Sequence, residues 1–161
     1  MATFSLAPGL RAANVTGLQW KHVDLMRQLA WVHLDQAKAR RAIAVPLNGE
    51  AMAVVRKQVG KHPSHVFSFS RKPIKQVSTK AWYRVLKRAC IEDFCWHDLR
   101  HCWASWHVQN GTPLFALQEL GGWESPAMVR RYAHLAADQL APYAERLGAI
   151  RAVDSEDVGT N

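Results

Sequence analysis

Tyr132 closes an ordered series of side chains suited to a phosphate group, being preceded along the chain by Arg11, Lys38, His97, Arg100 and Trp123. Guanidinium, ammonium, imidazole and indole N–H groups all donate to phosphate oxygens, and a phenol oxygen is a competent nucleophile once activated. The series therefore points to a nucleophile aimed at a phosphodiester. The densest local signal is His97-Asp98-Leu99-Arg100-His101. A helical step of ~100° per residue gathers His97, Arg100 and His101 in one arc and Trp96, Leu99, Trp103 and Trp106 in another. Such a helix can bury its tryptophans and still present cations to a cleft. Taken singly, each residue has a plainer reading: Arg11 a surface charge, Lys38 a solvated hairpin residue, Trp123 a core aromatic, Tyr132 a packed residue with a polar tip. Only their joint order is unusual.

The elements that must position these residues can be read from punctuation and periodicity. A short helix from Arg11 ends near Gly17, with Val15 and Leu18 inward. Three β-branched and aromatic runs, His22–Leu25, Leu29–Leu34 and Arg41–Leu47, predict a small antiparallel sheet. Helical spacing follows over Gly49–Val59 (Met52, Val55, Val59), then a loop over Ser68–Val77, then a helix capped by Ser78 or Thr79 that carries Trp82, Val85, Leu86 and Ala89. A helix over His97–Val108 stops at Gly111. Thr112-Pro113 starts Leu114–Leu120, Gly121-Gly122 ends it, and Ser125-Pro126 starts the helix expected to carry Tyr132. An amphipathic segment over Asp138–Ile150 comes last. The fold class expected is α+β, mainly α-helical with a three-stranded antiparallel sheet near the N-terminus, as one unit over residues 1–152 followed by a disordered acidic tail at 153–161.

Among the 161 residues, 21 Lys and Arg oppose 13 Asp and Glu. Setting aside Asp154, Glu156 and Asp157 of the tail leaves ten acids against twenty-one bases, so the body carries +11 against +8 for the whole. A basic folded body favours a polyanion through counterion release, and double-stranded DNA is the expected partner. No apolar run is long enough for a membrane span and the start has no signal-peptide pattern, so a cytoplasmic protein without a membrane partner is expected. Cys90, Cys95 and Cys102 match neither a disulfide framework nor a zinc spacing; buried free thiols are expected, and no metal. Lys72, Lys75, Lys80, Arg84 and Lys87, with Trp82 and Tyr83 interleaved, suit backbone binding along DNA.

Gly9-Leu10-Arg11, Gly17-Leu18-Gln19-Trp20, His97-Asp98-Leu99-Arg100-His101, Gly121-Gly122-Trp123 and Val129-Arg130-Arg131-Tyr132-Ala133-His134-Leu135 occur in this order. Together they resemble the catalytic domain of the tyrosine recombinases, the phage integrase family, over about Gly9 to Leu135. The resemblance implies that Arg11 and Arg100 are the paired arginines that fork a phosphate, and that His97 bonds the phosphate or exchanges a proton with the phenol. Trp123 would donate its indole N–H to a phosphate oxygen, and Lys38 would act as acid for the 5′-oxygen, with Arg40 and Arg41 competing for phosphate contact. Tyr132 would form a 3′-phosphotyrosine, with His101 in support. No metal or nucleotide cofactor is implied.

The chain departs from the family pattern in places. Asn14 stands where an acid often supports the arginine and histidine, and Pro8 intrudes before Gly9. The helix leading into Arg11 is expected to be largely missing, as is the core-binding domain, which predicts weak, unselective DNA binding and an exposed apolar face. The segment over Asp138–Ile150 resembles one that docks on a neighbouring protomer, implying homo-oligomers on DNA. Two alternatives stay open: a non-catalytic helix-turn-helix built from Leu114–Leu120 and Pro126–Leu135, in which Arg11 need not approach Tyr132, and a decayed integrase fragment.

Overall fold

The computed structural model describes residues 1–33, 42–77 and 79–139. Its sheet is formed by β1 (Val23–Asp24), β2 (Leu29–His33) and β3 (Ala42–Pro46), antiparallel throughout in the order β1-β2-β3. Asp24 makes the first turn, its carboxylate accepting the backbone N–H groups of Met26 and Arg27, each at 2.9 Å. Ala30 pairs with Val45, and Ala30, Val32 and Val45 are buried on one face. Against that face lie α1 (Ala2–Leu6), α2 (Ala12–Thr16) and α3 (Gly49–Arg56). Asn48 caps α3 by accepting the Ala51 N–H at 3.0 Å, as an N-cap asparagine should.

The second half is helical. It comprises α4 (Lys80–Arg88), α5 (Asp98–Gln109), α6 (Leu114–Gly121), α7 (Pro126–Arg130) and a 3₁₀ segment at Ala133–Gln139. Thr79 caps α4 through the Trp82 N–H. Trp82 and Leu86 pack on Trp96 and Leu99, while Trp103, Ala104, Val108, Leu117, Val129 and Tyr132 form a second cluster across α5 to α7. Helix α1 joins the parts. Phe4 is fully buried in the sheet cluster, Leu6 reaches both helical clusters, and Ser5 accepts the indole N–H of Trp96 at 3.0 Å while donating to Leu10 O at 2.9 Å.

The α+β class, the three strands and most helices agree with the sequence reading. Several details do not. A helix of five residues, α1, does precede Arg11, and its Phe4 is buried in the sheet cluster. The span 68–77 contains a hairpin, β4 (Ser68–Phe69) with β5 (Lys72–Pro73), turned by Ser70 and Arg71 at φ 49° and 60°. Such a turn ordinarily announces itself with Asn-Gly, which is why it was missed. Helix α3 ends before Val59, leaving that side chain exposed, and Val85 and Trp106 also face solvent. Helix α7 ends at Arg130, so Tyr132 sits in the turn that follows instead of on the helix. Neither Thr112 nor Ser125 caps with its side chain; the Thr112 hydroxyl meets His107 Nδ1 at 2.9 Å. Cys90 and Cys95 are exposed free thiols, not buried ones. The segment over 140–150 and the tail at 153–161 lie outside the described residues.

Because Phe4 fills the sheet core against Phe67, with ring centroids 5.1 Å apart, Phe4→Ala is expected to lower stability by about 3–5 kcal/mol in denaturant unfolding. A loss below about 1 kcal/mol would mean that α1 is not integral to that core.

Candidate active site

Helix α5 carries the central residue inward. Arg100 is 95% buried, 5% of its surface remaining exposed. A buried guanidinium needs acceptors, and it finds two backbone carbonyls: Nη1 donates to Gly9 O at 2.7 Å and Nη2 to Gly121 O at 2.6 Å. Its plane is covered by Trp123, whose ring centroid lies 4.1 Å from Cζ. Both nitrogens keep one further N–H, and Nε–H is a third, so the fork retains donors for a ligand. Burial, then the charge of Arg11, lowers the Arg100 pKa to about 10, with Tyr132 opposing. The group stays cationic at neutral pH.

Two glycines make this seat possible. A Cβ on Gly9 would stand 2.2 Å from the Trp103 ring, and one on Gly121 would stand 2.0 Å from the Trp123 ring. Gly9 also takes a positive φ of 64°, which glycine adopts without steric cost. After α6, Gly122 adopts the left-handed conformation at φ 61°, and its N–H and that of Trp123 return to the carbonyls of Glu119 and Gln118 at 3.1 Å each. That cap swings Trp123 back over Gly121 and Arg100. Trp103 then stacks on Trp123, with centroids 6.1 Å apart and planes 27° from parallel.

Arg11, His97, Arg100, His101, Trp123, Met128, Arg131 and Tyr132 line one cleft of about 140 Å³. Arg11 enters it from the residue preceding α2; its carbonyl accepts the Val15 N–H at 3.1 Å, while its guanidinium has no hydrogen-bond partner among the described residues. The Tyr132 hydroxyl is 2.6 Å from Nδ1 of His101. His97, exposed at the start of α5, touches His101 edge to face, with centroids 4.8 Å apart. Thus the phenol contact, one of the two roles expected of His97, is made in this structure by His101, one helical turn later. Burial raises the Tyr132 pKa, with Arg131 and Arg100 opposing. His97, exposed as a residue, has its pKa lowered first by partial desolvation of its ring and then by His101, Arg100 and Arg11, against Asp98. Asp98 is lowered chiefly because its carboxylate accepts the Cys95 backbone N–H.

Of the residues picked from sequence, five converge here with His101: Arg11, His97, Arg100, Trp123 and Tyr132. Asn14 does not; it lines a separate cleft with Gln19, His22 and Trp31. Lys72, Lys75, Lys80, Arg84 and Lys87 are exposed away from the cleft, the last three on the face of α4 opposite Trp82 and Leu86. Lys38, Arg40 and Arg41 lie outside the described residues. Sequence reasoning passed over Arg131 and Met128, although Arg131 adjoins Tyr132 in the motif itself. The helix-turn-helix alternative is poorly served: α7 is five residues long, about one and a half turns, and Arg11 does approach Tyr132.

The sequence matches the phage integrase family over residues 1–139, and the chain belongs to that family. It is 46% identical over 160 residues to the integrase of Salmonella phage P22, covering 91% of this chain and 41% of that protein. To the shufflon-specific DNA recombinase of Escherichia coli it is 30% identical over 137 residues, covering 84% and 34%. The chain thus spans less than half the length of these two relatives. Among solved structures, the catalytic domain of bacteriophage HP1 integrase superposes with a TM-score of 0.66 at 22% identity, covering 89% of this chain and 78% of that one. The Tn1549 transposon integrase in complex with transposon right end DNA gives 0.73 at 21% identity, covering 91% and 57%. The fold is that of tyrosine recombinase catalytic domains. Among the described residues, no helix is long and apolar enough to cross a membrane.

Gly121→Ala is expected to displace Trp123 from Arg100 and to cost about 1–3 kcal/mol. Thermal melting and tryptophan fluorescence would register the change, and an unaltered melt would refute the close approach. His97 binds a proton less readily folded than unfolded, so the unfolded state holds more protons just below the ordinary imidazole pKa and stability rises with pH there. Melting temperatures between pH 5.5 and 7.5, roughly the imidazole range, should fall on acidification, and less so in His97→Gln.

Proposed function

We propose that this chain is the catalytic domain of a site-specific DNA recombinase that cleaves and rejoins strands through a 3′-phosphotyrosine on Tyr132. The observation that carries the reading is the single cleft that Arg11, Arg100 and Trp123 line together with Tyr132. Arg11 and the free N–H groups of Arg100 would hold the non-bridging oxygens of one phosphate and stabilise the charge of the pentacoordinate transition state. Trp123, whose ring already braces Arg100, would offer its indole N–H, and His97 at the rim a further contact. The tyrosyl ester conserves the energy of the broken bond, so rejoining needs neither nucleotide nor metal.

Double-stranded DNA is the proposed partner. The basic body supports this, as do fold relatives whose structures hold DNA, such as the Tn1549 integrase. Lys72, Lys75, Lys80, Arg84 and Lys87 are proposed to contact the sugar-phosphate backbone, and Lys38 to protonate the 5′-oxygen with Arg40 and Arg41 nearby. Residues 138–150 are proposed to dock on a neighbouring protomer of a DNA-bound oligomer.

Incubation with a nicked suicide duplex, without divalent metal, is expected to give a DNA adduct that survives denaturant. Tyr132→Phe should abolish it, and Arg100→Ala should slow it by about 10²–10³-fold. A shifted complex that denaturant dissolves completely would contradict the enzyme reading.

A further inference from the structure

We propose that His101 is the proton acceptor for Tyr132, taking the phenolic proton on Nδ1 as the oxygen attacks phosphorus and returning it when the strand is rejoined. This rests on the reading of Tyr132 as the nucleophile. Nδ1 and the phenol oxygen are 2.6 Å apart, a hydrogen-bond contact already formed without substrate. The proposed step uses the tautomer with the proton on Nε2, in which the phenol donates to a bare Nδ1.

Elimination points the same way. No carboxylate lines the cleft, and the charged groups facing Tyr132 there are Arg11 from the start of α2, Arg100 from α5 and Arg131 from the turn after α7. Guanidinium groups cannot accept a proton. Among the described residues lining the cleft, only His97 and His101 can, and His97 is exposed and makes no hydrogen bond to Tyr132. Burial holds the hydroxyl protonated at neutral pH, so attack requires somewhere for its proton to go.

Position is secured by the same helix that seats Arg100. His101 follows Arg100 directly on α5, whose rotation and depth are set by the bonds to Gly9 and Gly121. His97 limits the ring on one side, edge to face at 4.8 Å, and Tyr132 on another, with centroids 6.0 Å apart.

In cleavage the Tyr132 O–H bond breaks, its proton bonds to Nδ1, and the oxygen forms a bond to phosphorus. The bond from phosphorus to the 5′-oxygen breaks, and that oxygen takes a proton from water or a separate acid. In rejoining, the 5′-hydroxyl returns that proton and attacks phosphorus, and the departing phenolate recovers its own from the imidazolium. The proton count closes in both directions.

The test uses the intact chain and the nicked suicide duplex. His101→Ala and His101→Gln are both expected to form adduct about 10²–10⁴-fold more slowly, with DNA mobility shift and melting temperature preserved. Glutamine keeps a hydrogen bond but cannot take the proton, so a positioning role alone would leave His101→Gln near the unsubstituted rate. Fluorotyrosine at position 132, a more acidic phenol, should recover most of the His101→Ala loss. A 5′-bridging phosphorothiolate, which needs no acid to leave, should not. His101→Ala cleaving within about threefold of the unsubstituted rate, or showing no gain with fluorotyrosine, overturns the proposal. If in that case Tyr132→Phe still abolishes the adduct, the nucleophile reading survives. No adduct from the unsubstituted chain, or one persisting in Tyr132→Phe, defeats both.

Discussion

A guanidinium buried to 95% and tied to two backbone carbonyls is the constraint from which the rest of the site follows. Removing a cation from water costs several kcal/mol even after relaxation. Against this stand two charge-assisted hydrogen bonds, each contributing about 1.5–3 kcal/mol, and an indole face contributing about 2 kcal/mol when desolvated. These terms are of the same size, so losing any one leaves Arg100 undercompensated. The seat therefore works only when the turn at Gly9, the end of α6 at Gly121 and the ring of Trp123 are all in place.

Those three parts come from distant stretches of chain, and each makes a demand on its neighbours. The turn at Gly9 is held between α1 and α2, so α1 must pack, and Phe4 and Ser5 secure it in two directions. Trp103 closes over Gly9 and Trp123 over Gly121, at approaches only glycine permits. The left-handed cap at Gly122 aims Trp123. The outcome is a rigid floor of stacked rings and a fixed cation, with Arg11, His97 and the phenol of Tyr132 around it. Preorganisation of this kind suits phosphoryl transfer, where donors must already stand where charge develops.

Much of this was legible in the residues because the chemistry needs unusual types at unusual places. Arg100, Trp123 and Tyr132 could be picked as a set, and Gly121-Gly122 as a helix stop. The depth of Arg100 could not: periodicity gives a direction around the helix axis, and Arg100 lies at the edge of the polar arc beside Trp96 and Trp103, where burial is decided by what covers it. For the same reason the phenol contact fell to His101 instead of His97, since choosing between residues four apart requires knowing where the turn after α7 ends. The hairpin at Ser68–Pro73 escaped because its turn carries no Asn-Gly pair, the early end of α3 because Lys57, Gln58 and Val59 hold no breaker ahead of Gly60, and the direction of Asn14 because its helix faces it toward the sheet.

The most direct measurement is a crystal structure of the chain with a cleaved duplex and vanadate in place of the scissile phosphate. The account predicts vanadium bonded to the Tyr132 oxygen, with Arg11 and the remaining N–H groups of Arg100 on its equatorial oxygens while the bonds to Gly9 and Gly121 persist. Vanadate bound elsewhere, or Arg100 released from both carbonyls to reach it, would contradict it.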